Sequence, residues 1–378
     1  MVPPDSLGYA MTDRVFNFGA GPGTLPVTVL ERAQRELVSL PGIGASPLEV
    51  SHRGSWFAGV IQEAEANLRE LLAVPAGHHV LFCQGGATMQ FSMCAMNLLR
   101  GTDTPAEYVV TGSWGGKALQ EAQKEGRVRT AWSGKDGGFV RVPATEELAE
   151  VLSPDAAYLH VTTNETIQGV EFRDVPPVDA TIPLVADASS DLLSRPLDVG
   201  AFGLLYAGAQ KNAGPAGVTI VLIRDDLLSR IPDGLPSSLD YRTYVEHGSL
   251  FNTPPVFAIY VVLLVTRWLR DEVGGLAAMG EINAAKAAML YELLDESPGF
   301  YRGHADRGSR SLMNVTFRLP TEELDRAFVA DAAAQDMTEL KGHRSVGGIR
   351  ASIYNAMPIE GVEALASFMR RFRDRNAG

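Results

Sequence analysis

The sequence has little cysteine and no long apolar run. Its two cysteines, Cys83 and Cys94, both lie in apolar patterns, so neither a disulfide framework nor a zinc site can be read from them. No apolar stretch reaches the roughly eighteen residues that a membrane helix needs. The most apolar stretch, from Pro254 to Val265, is too short to cross a bilayer. A disulfide-rich scaffold and a helical membrane protein are therefore not expected.

Positive charge is also in deficit, with 33 Lys and Arg residues against 45 Asp and Glu residues and a formal net charge of −12. A chain with this charge repels phosphate backbones and anionic lipids, and no basic run compensates, so we expect no nucleic-acid or membrane partner. The first residues lack the basic and then apolar pattern of a secretion signal. Together with the scarce cysteines, this favours a cytoplasmic location.

Helical and strand-like patterns alternate along most of the 378 residues, which predicts a mostly parallel sheet covered by helices. The predicted strands are Val80–Cys83, Tyr108–Thr111, Tyr158–Val161, Pro183–Asp187, Leu204–Tyr206 and Val218–Ile223. The predicted helices are Trp56–Leu72, Met89–Leu99, Gly116–Lys124, Pro254–Arg270 and Gly275–Leu294.

The pattern changes near the C-terminus, where Ser311–Arg318 alternates like a half-buried strand and a short strand is predicted near 348–352. These features predict a smaller α+β domain. We expect residues 1–14 to be a disordered extension and residues 15–27 to lie at the small domain and the site entrance. Residues 28–272 would form the large domain and residues 273–378 the small one.

Lys211 is the most informative single residue. It lies among small residues between two apolar strands, with Gly208 before it and Gly214 and Gly217 after it. Most lysines are solvated surface groups, but this one is predicted to lie between two buried elements, where glycines allow close approach to a ligand. A partly desolvated ε-amine can form a Schiff base with an aldehyde cofactor. Pyridoxal 5'-phosphate (PLP) is the candidate.

Other loops at predicted strand ends carry residues that suit the ring and the phosphate of PLP. Asp187 ends an apolar strand and either pairs with the pyridine nitrogen of PLP or only caps the following turn. Gly85 and Gly86 precede a helix whose N-terminus suits a phosphate, although a Gly-Gly turn alone is a weak signal. Trp114 follows another strand and either stacks on a cofactor ring or is an ordinary packed aromatic.

Cationic side chains recur in loops beside glycines, at His52 and Arg53, at His343 and Arg344, and at Arg350. Each pair alone is more typical of a solvated loop. In an acidic protein, two His-Arg pairs suggest a doubly charged substrate such as a phosphate ester, with a further arginine for a carboxylate.

With these residues assembled, the sequence from about Phe16 to Arg373 resembles the phosphoserine aminotransferases, a family of class V aminotransferases with PLP fold type I. The resemblance implies an α/β fold with a large domain built on a mostly parallel seven-stranded sheet and a smaller α+β C-terminal domain. Its most specific segments are Glu49–Gly54, Asn164–Ile167, Tyr206–Gly217, Phe251–Pro255, Lys341–Arg344 and Arg350–Pro358.

The resemblance implies PLP as the cofactor and four contacts to its ring. Lys211 would form the Schiff base, and Asp187 would pair with the pyridine nitrogen. Trp114 would stack on the ring, and Thr166 would hydrogen-bond near the phenolic oxygen. Lys211 and Asp187 would be the catalytic residues.

The resemblance also implies how the cofactor phosphate is held. Ala87, Thr88 and Gln210 would contact it within one subunit. Asn252 and Thr253 would reach the phosphate of the other subunit, which implies a homodimer with shared sites.

For the substrate, the resemblance assigns the phosphate to His52, Arg53, His343 and Arg344, with one pair coming from the other subunit, and the α-carboxylate to Arg350. The implied reaction transfers the amino group of glutamate to 3-phosphohydroxypyruvate, giving O-phosphoserine and 2-oxoglutarate in serine biosynthesis. The same contacts would serve the phosphorylated keto acid of vitamin B6 synthesis.

Two other functions remain open at this point. A cysteine desulfurase of the same fold needs a cysteine on a mobile loop, which neither Cys83 nor Cys94 provides in its apolar pattern. A catalytically inactive scaffold would be expected to lose the lysine or its carboxylate, and both are present.

Overall fold

The computed structural model describes residues 14–176, 178–179 and 181–376. Apart from Arg14, the expected N-terminal extension lies outside these residues.

The described part of the chain contains these strands: β1 (Phe16–Asn17), β2 (His78–Gln84), β3 (Ala106–Val110), β4 (Val128–Ser133), β5 (Leu159–Thr162), β6 (Asn164–Glu165), β7 (Val170–Glu171), β8 (Leu184–Asp187), β9 (Leu204–Gly208), β10 (Val218–Arg224), β11 (Arg302–Gly303), β12 (Asn314–Arg318), β13 (Met337–Thr338) and β14 (Ile349–Ser352).

The α-helices are α1 (Val27–Glu36), α2 (Ser55–Leu71), α3 (Ala87–Leu98), α4 (Ser113–Ala122), α5 (Thr145–Val151), α6 (Tyr241–Glu246), α7 (Val256–Arg267), α8 (Leu276–Asp295), α9 (Glu322–Ala333) and α10 (Ile359–Asn376). A π-helical segment, Trp268–Val273, continues α7 until Gly274 ends it in the left-handed region, with φ of 90°. The long helical pattern predicted after residue 254 is thus one helix with an altered last part.

The largest sheet of the described residues has seven strands in the order β2-β10-β9-β8-β5-β3-β4. Strand β10 is antiparallel to both neighbours, and the other adjacent pairs are parallel. The predicted seven-stranded, mostly parallel sheet is therefore confirmed. The edge strand β4 was not among the strands predicted individually, because its side chains are exposed or only half-buried and it lacks an apolar run.

Helices cover the sheet on both faces because successive strand residues point to opposite sides. In β2, Val80 and Phe82 pack into the core formed with α1, α2 and α7. Leu81 and Cys83 of the same strand pack on the other side, in the core formed with α3, α4 and α6. This arrangement leaves the carboxyl ends of the parallel strands as the open edge, where ligands bind in folds of this type.

A separate apolar core joins α8, α9 and α10 to the three-stranded sheet β11-β12-β14. Strand β1 pairs in parallel with β13, so the segment after Arg14 lies against this C-terminal part. These cores are consistent with the expected division into residues 28–272 and 273–378, which stays a prediction.

A fully buried lysine stabilises the loop that follows β14. Lys286 of α8 has no exposed surface, and its Nζ donates to the backbone oxygens of Ile353, Tyr354 and Met357 at 2.8–3.1 Å. Buried backbone carbonyls need a hydrogen-bond donor, and the Lys286 side chain supplies the hydrogen bonds that a neighbouring strand would otherwise provide. It fixes the loop that carries Tyr354 toward the cavity described below.

Within the residues that the structure describes, no helix combines the length and the apolar character needed to cross a membrane.

The packing predicts that the same substitution has a large effect on stability at one position and almost none at another. Val221 in β10 is 0% exposed and Val38 after α1 is 84% exposed. We expect Val221→Ala to lower the free energy of unfolding by about 2 kcal/mol, since two buried methyl groups are lost. Val38→Ala should change it by less than about 0.5 kcal/mol. Urea denaturation followed by circular dichroism measures both, and equal effects would contradict the layer assignment.

Candidate active site

A cavity of about 290 Å³ opens at the carboxyl edge of the large sheet. Nine of the fourteen predicted site residues line it: Ala87, Thr88, Trp114, Thr166, Asp187, Gln210, Lys211, His343 and Arg350. The large sheet brings most of these residues together because β2, β3, β8 and β9 all end at this edge, whereas His343 and Arg350 come from the C-terminal part of the chain.

Lys211 lies just beyond β9 and is half-buried, with its Nζ donating a 2.7 Å hydrogen bond to the Oγ1 of Thr166. Burial lowers the pKa of the Lys211 amine to about 8, while the carboxylates of Asp187 and Glu165 act to raise it. About a tenth of the amine is therefore unprotonated at pH 7, far more than for a solvated lysine, and this is the form that acts as a nucleophile.

Asp187 is the last residue of β8 and is buried. Its Oδ1 accepts from the backbone N of Ser189 at 2.9 Å and from the Ser189 Oγ at 2.6 Å. Burial raises the pKa of this carboxyl, and the neighbouring Lys211 and the Ser189 donors lower it. The side chain thus caps the following turn and also lines the cavity, so the two interpretations of the sequence are compatible.

Trp114 lies in the first turn of α4, with its ring centroid 5.9 Å from the Nζ of Lys211. Its backbone N donates to Oε2 of Glu165 at 2.9 Å, and the backbone N of Gly115 donates to Oε1 of Glu165 at 2.8 Å. Its indole Nε1 is buried without a hydrogen-bond partner. The indole therefore presents its face beside the amine, as a ring-stacking residue would.

The N-terminus of α3 reaches the cavity at Ala87 and Thr88, directly after Gly86. No side chain caps this terminus. The first backbone N–H groups of a helix have no partner within the helix and favour an anion. This end of the cavity can therefore bind a phosphate.

Arg350 of β14 brings positive charge to the cavity, and His343 also lines it. The Nε of Arg350 is buried without a hydrogen-bond partner, and burial lowers the pKa of its guanidinium. Burial and the nearby Arg350, Lys117 and Arg344 lower the pKa of His343. A half-buried guanidinium with an unpaired Nε is suited to a carboxylate, which would supply both charge and acceptors.

The glycine-rich segment near the N-terminus closes over the lysine. A Cβ at Gly23 would lie 2.8 Å from the Tyr354 ring and 3.0 Å from the Lys211 backbone oxygen, so only glycine fits there. The Tyr354 hydroxyl donates to the Ala20 backbone oxygen at 2.7 Å. Both ends of the chain thus form one rim of the cavity.

Five predicted site residues do not line the cavity of a single chain. His52 is half-buried, and the other four are exposed. The Gln84 side chain donates to Asn252 Oδ1 at 3.3 Å and to the Thr253 backbone oxygen at 2.8 Å. The residues outside the cavity are His52, Arg53, Asn252, Thr253 and Arg344.

Some cavity residues were not predicted from the sequence. Ser189 lines the cavity and orients Asp187, and Ile167 lines it next to Thr166. The position of Ser189 two residues after a strand-ending Asp, a common turn pattern, was the available signal. Glu165 and Tyr354 lie in segments of the resemblance but had no assigned role.

Comparison with known proteins gives the family. The sequence pattern described as "Aminotransferase class-V" matches residues 15–365. A phosphoserine aminotransferase from Rhodopirellula baltica is 53% identical over 365 residues, covering 97% of this chain and 96% of the relative.

Two solved structures are similar to this chain in both sequence and fold. The phosphoserine aminotransferase from Bacillus circulans subsp. alkalophilus has a TM-score of 0.93 and 50% identity, covering 97% of this chain and all of that one. The PLP-bound phosphoserine aminotransferase from Trichomonas vaginalis has a TM-score of 0.88 and 39% identity, covering 94% and 100%. With such matches over nearly its whole length, the chain belongs to the class-V aminotransferase family, among the phosphoserine aminotransferases.

Proposed function

We propose that the chain is a PLP-dependent aminotransferase that moves the amino group between glutamate and 3-phosphohydroxypyruvate, giving O-phosphoserine and 2-oxoglutarate in serine biosynthesis. The observation that carries the proposal is the Lys211 amine, held by Thr166 in a cavity that Asp187 also lines. The phosphoserine aminotransferase relatives support the choice of substrate.

PLP fits the residues that line the cavity. An amine, a carboxylate, an indole face and an uncapped helix N-terminus surround one space of about 290 Å³. These are the groups that an aldehyde, a pyridine nitrogen, an aromatic ring and a phosphate require. When bound, PLP withdraws electrons from the substrate Cα and makes its proton acidic.

Lys211 is the nucleophile and proton carrier of the proposal. With PLP bound, its unprotonated Nζ would be the nucleophile toward the cofactor aldehyde. Once displaced by the substrate amine, the same Nζ would take the proton from the substrate Cα and return it to the aldehyde carbon of the cofactor. Thr166 accepts a hydrogen bond from this Nζ and so limits its rotation. The lowered pKa, about 8, suits an amine that must both gain and lose a proton near neutral pH.

Asp187 supplies negative charge to the cavity that Lys211 also lines. Its Oδ1 is held by Ser189, so the carboxylate orientation is fixed before any ligand enters. A fixed buried carboxylate stabilises a protonated ring nitrogen more than a mobile, solvated one does.

The cofactor phosphate is assigned to the N-terminus of α3 at Ala87 and Thr88, with Gln210 at the same cavity. Backbone N–H groups and the helix dipole would bind it.

The substrate is assigned to the part of the cavity that Arg350 and His343 line. Arg350 would bind the α-carboxylate through its guanidinium, and His343 would contact the phosphate together with Arg344. His52 and Arg53 lie outside this cavity, so we assign them to the site of a second copy.

A homodimer accounts for the site residues that a single chain leaves on its surface. Leu48, Met89 and Phe251 are large apolar side chains with exposed fractions of 66%, 46% and 45%. Met89 follows Thr88, Phe251 precedes Asn252, and Leu48 lies four residues before His52. Large apolar side chains exposed beside site residues are typical of an interface.

A reducing, cytoplasmic location is part of the same proposal. Cys83 and Cys94 are both free and buried, as expected for thiols that never need to pair.

The same two thiols argue against sulfur transfer from cysteine. Burial raises the pKa of Cys83 far above its usual range and that of Cys94 to about 12, so neither supplies a thiolate near neutral pH. Both lie in the core of the large sheet rather than at the cavity.

The substrate assignment predicts a strong preference for O-phosphoserine over serine. In rapid mixing of the holoenzyme, O-phosphoserine and glutamate should each change the visible absorbance of the cofactor. Serine should react at least about a hundredfold more slowly, because two or more charge-assisted hydrogen bonds are lost. Equal rates with serine would contradict the phosphate assignment, and no change with any of the three would contradict the activity.

A substitution at His343, with a matched control, tests the assignment of the substrate phosphate. His343→Asn should lower kcat/KM for O-phosphoserine about tenfold, since one charge-assisted contact is removed. His79→Asn is the control, because His79 lies toward the opposite end of β2 and pairs with Asp225. Steady-state kinetics on both variants decides the assignment, which fails if His343→Asn matches the control.

Thiol titration tests the burial of the two cysteines. Neither should react with a disulfide reagent such as DTNB at pH 8 in the folded protein, and both should react in guanidinium chloride. Rapid reaction of either thiol in the native protein would reopen the desulfurase alternative.

A further inference from the structure

A buried carboxylate with no role in the scheme above connects two of the cavity residues. Glu165, the second residue of β6, has 0% exposure. Each of its oxygens accepts one backbone hydrogen bond from the first turn of α4, from Trp114 and from Gly115. This carboxylate therefore satisfies two of the unpaired N–H groups that a helix start exposes.

The contact between β6 and α4 is tight. A Cβ at Gly112 would lie 2.5 Å from Cδ of Glu165 and 2.6 Å from Oε1 of Gln168. Gln168 also pairs with Ser113, whose backbone N donates to its Oε1 at 3.2 Å and whose Oγ accepts from its Nε2 at 2.8 Å. The start of α4 therefore cannot shift or rotate relative to the β6–β7 hairpin without breaking these contacts.

Glu165 is also the residue before Thr166, whose Oγ1 accepts from the Nζ of Lys211. One side chain thus ties the backbone of Trp114 to the strand that carries Thr166. Both residues are close to the amine, with a ring-centroid distance of 5.9 Å for Trp114 and a hydrogen bond of 2.7 Å for Thr166.

We propose that Glu165 is a positioning residue that fixes the Trp114 indole and the Thr166 hydroxyl relative to the Lys211 amine and adds negative charge that favours the proton on that amine. It acts through these neighbours and does not itself contact substrate. The inference rests on the proposed function, since its importance depends on PLP binding beside Lys211.

The electrostatic part follows from the groups around Lys211. Asp187, Glu165 and Asp191 favour the protonated amine, and Arg350 opposes it. Burial raises the pKa of Glu165 to about 7, while the two backbone donors and Lys211 favour its ionised form. Removing the Glu165 charge should therefore move proton loss at Lys211 to lower pH.

Glu165→Gln isolates this role. The amide keeps the size of the side chain but replaces one acceptor oxygen with an NH2 group, which cannot accept from a backbone N–H. One of the two N–H groups of α4 then loses its partner in a buried place, and the negative charge is lost. The first loss acts at the start of α4, and the second acts on the Lys211 amine.

Glu171→Gln is the matched control. Glu171 lies in β7, the partner of β6, is also 0% exposed, and accepts a 2.6 Å hydrogen bond from the backbone N of Leu312. It does not line the cavity. A loss that reflects only damage to this hairpin would appear in both variants.

Three measurements on the holoenzymes separate the possibilities. They are the dissociation constant of PLP by equilibrium dialysis, the pH midpoint of the visible cofactor absorbance, and the urea midpoint. For Glu165→Gln we expect PLP to bind about tenfold more weakly and the absorbance midpoint to move to lower pH. For Glu171→Gln we expect PLP affinity within about twofold of the starting protein and an unchanged absorbance midpoint, although the urea midpoint falls.

The inference is overturned if Glu165→Gln leaves both the PLP affinity and the absorbance midpoint unchanged, or if Glu171→Gln alters them as much. Failure of the unaltered protein to bind PLP would instead contradict the proposed function.

Discussion

The Nζ of Lys211 loses much of its water when the connection between β9 and β10 folds against the sheet, and burial of a charged group has to be offset by nearby opposite charge. Asp187 and Glu165 provide it, each held in place by hydrogen bonds from Ser189 or from the start of α4. The result is an amine with a pKa of about 8. The carboxylates offset only part of the effect of burial, so the amine holds its proton less tightly than a solvated lysine does.

Strand register determines where these groups meet. Asp187 of β8 pairs with Tyr206 of β9, and Lys211 follows five residues later, on the connection that leads into β10. Because side chains alternate across a sheet, a shift of one residue in β8 would turn Asp187 to the opposite face. The apolar layers on both faces of the sheet therefore fix the position of the carboxylate.

The C-terminal part of the chain completes the cavity. Lys286 holds the carbonyls of the loop after β14, Tyr354 on that loop donates to Ala20, and Arg350 on β14 reaches the cavity. Substrate recognition in this scheme therefore depends on contacts between segments far apart in sequence, whereas cofactor recognition depends mostly on the large sheet.

The sequence predicted the sheet and the lysine well for physical reasons. Buried strands are continuous apolar runs, and Asp187 and Lys211 stand out because each follows such a run. The edge strand β4 lacks that signal, and Glu165 could not be assigned because its role depends on where α4 begins in space. Helix starts were misplaced by a few residues: α3 begins at Ala87 and not at Met89.

The five site residues outside the cavity are a different case. His52, Arg53, Asn252, Thr253 and Arg344 lie on or near the surface of a single chain. No pattern within one sequence states which surface a second copy covers, so their roles rest on the family resemblance and on the proposed homodimer.

The most direct test of this account is the pKa of the Lys211 amine itself. It can be measured by nitrogen NMR of protein labelled at lysine Nζ, with the signal assigned by its loss in Lys211→Arg. The account predicts a value of about 8 in the cofactor-free protein. A value near the ordinary lysine pKa of 10.5 would show that the amine is solvated and would contradict the charge balance on which the proposed site depends.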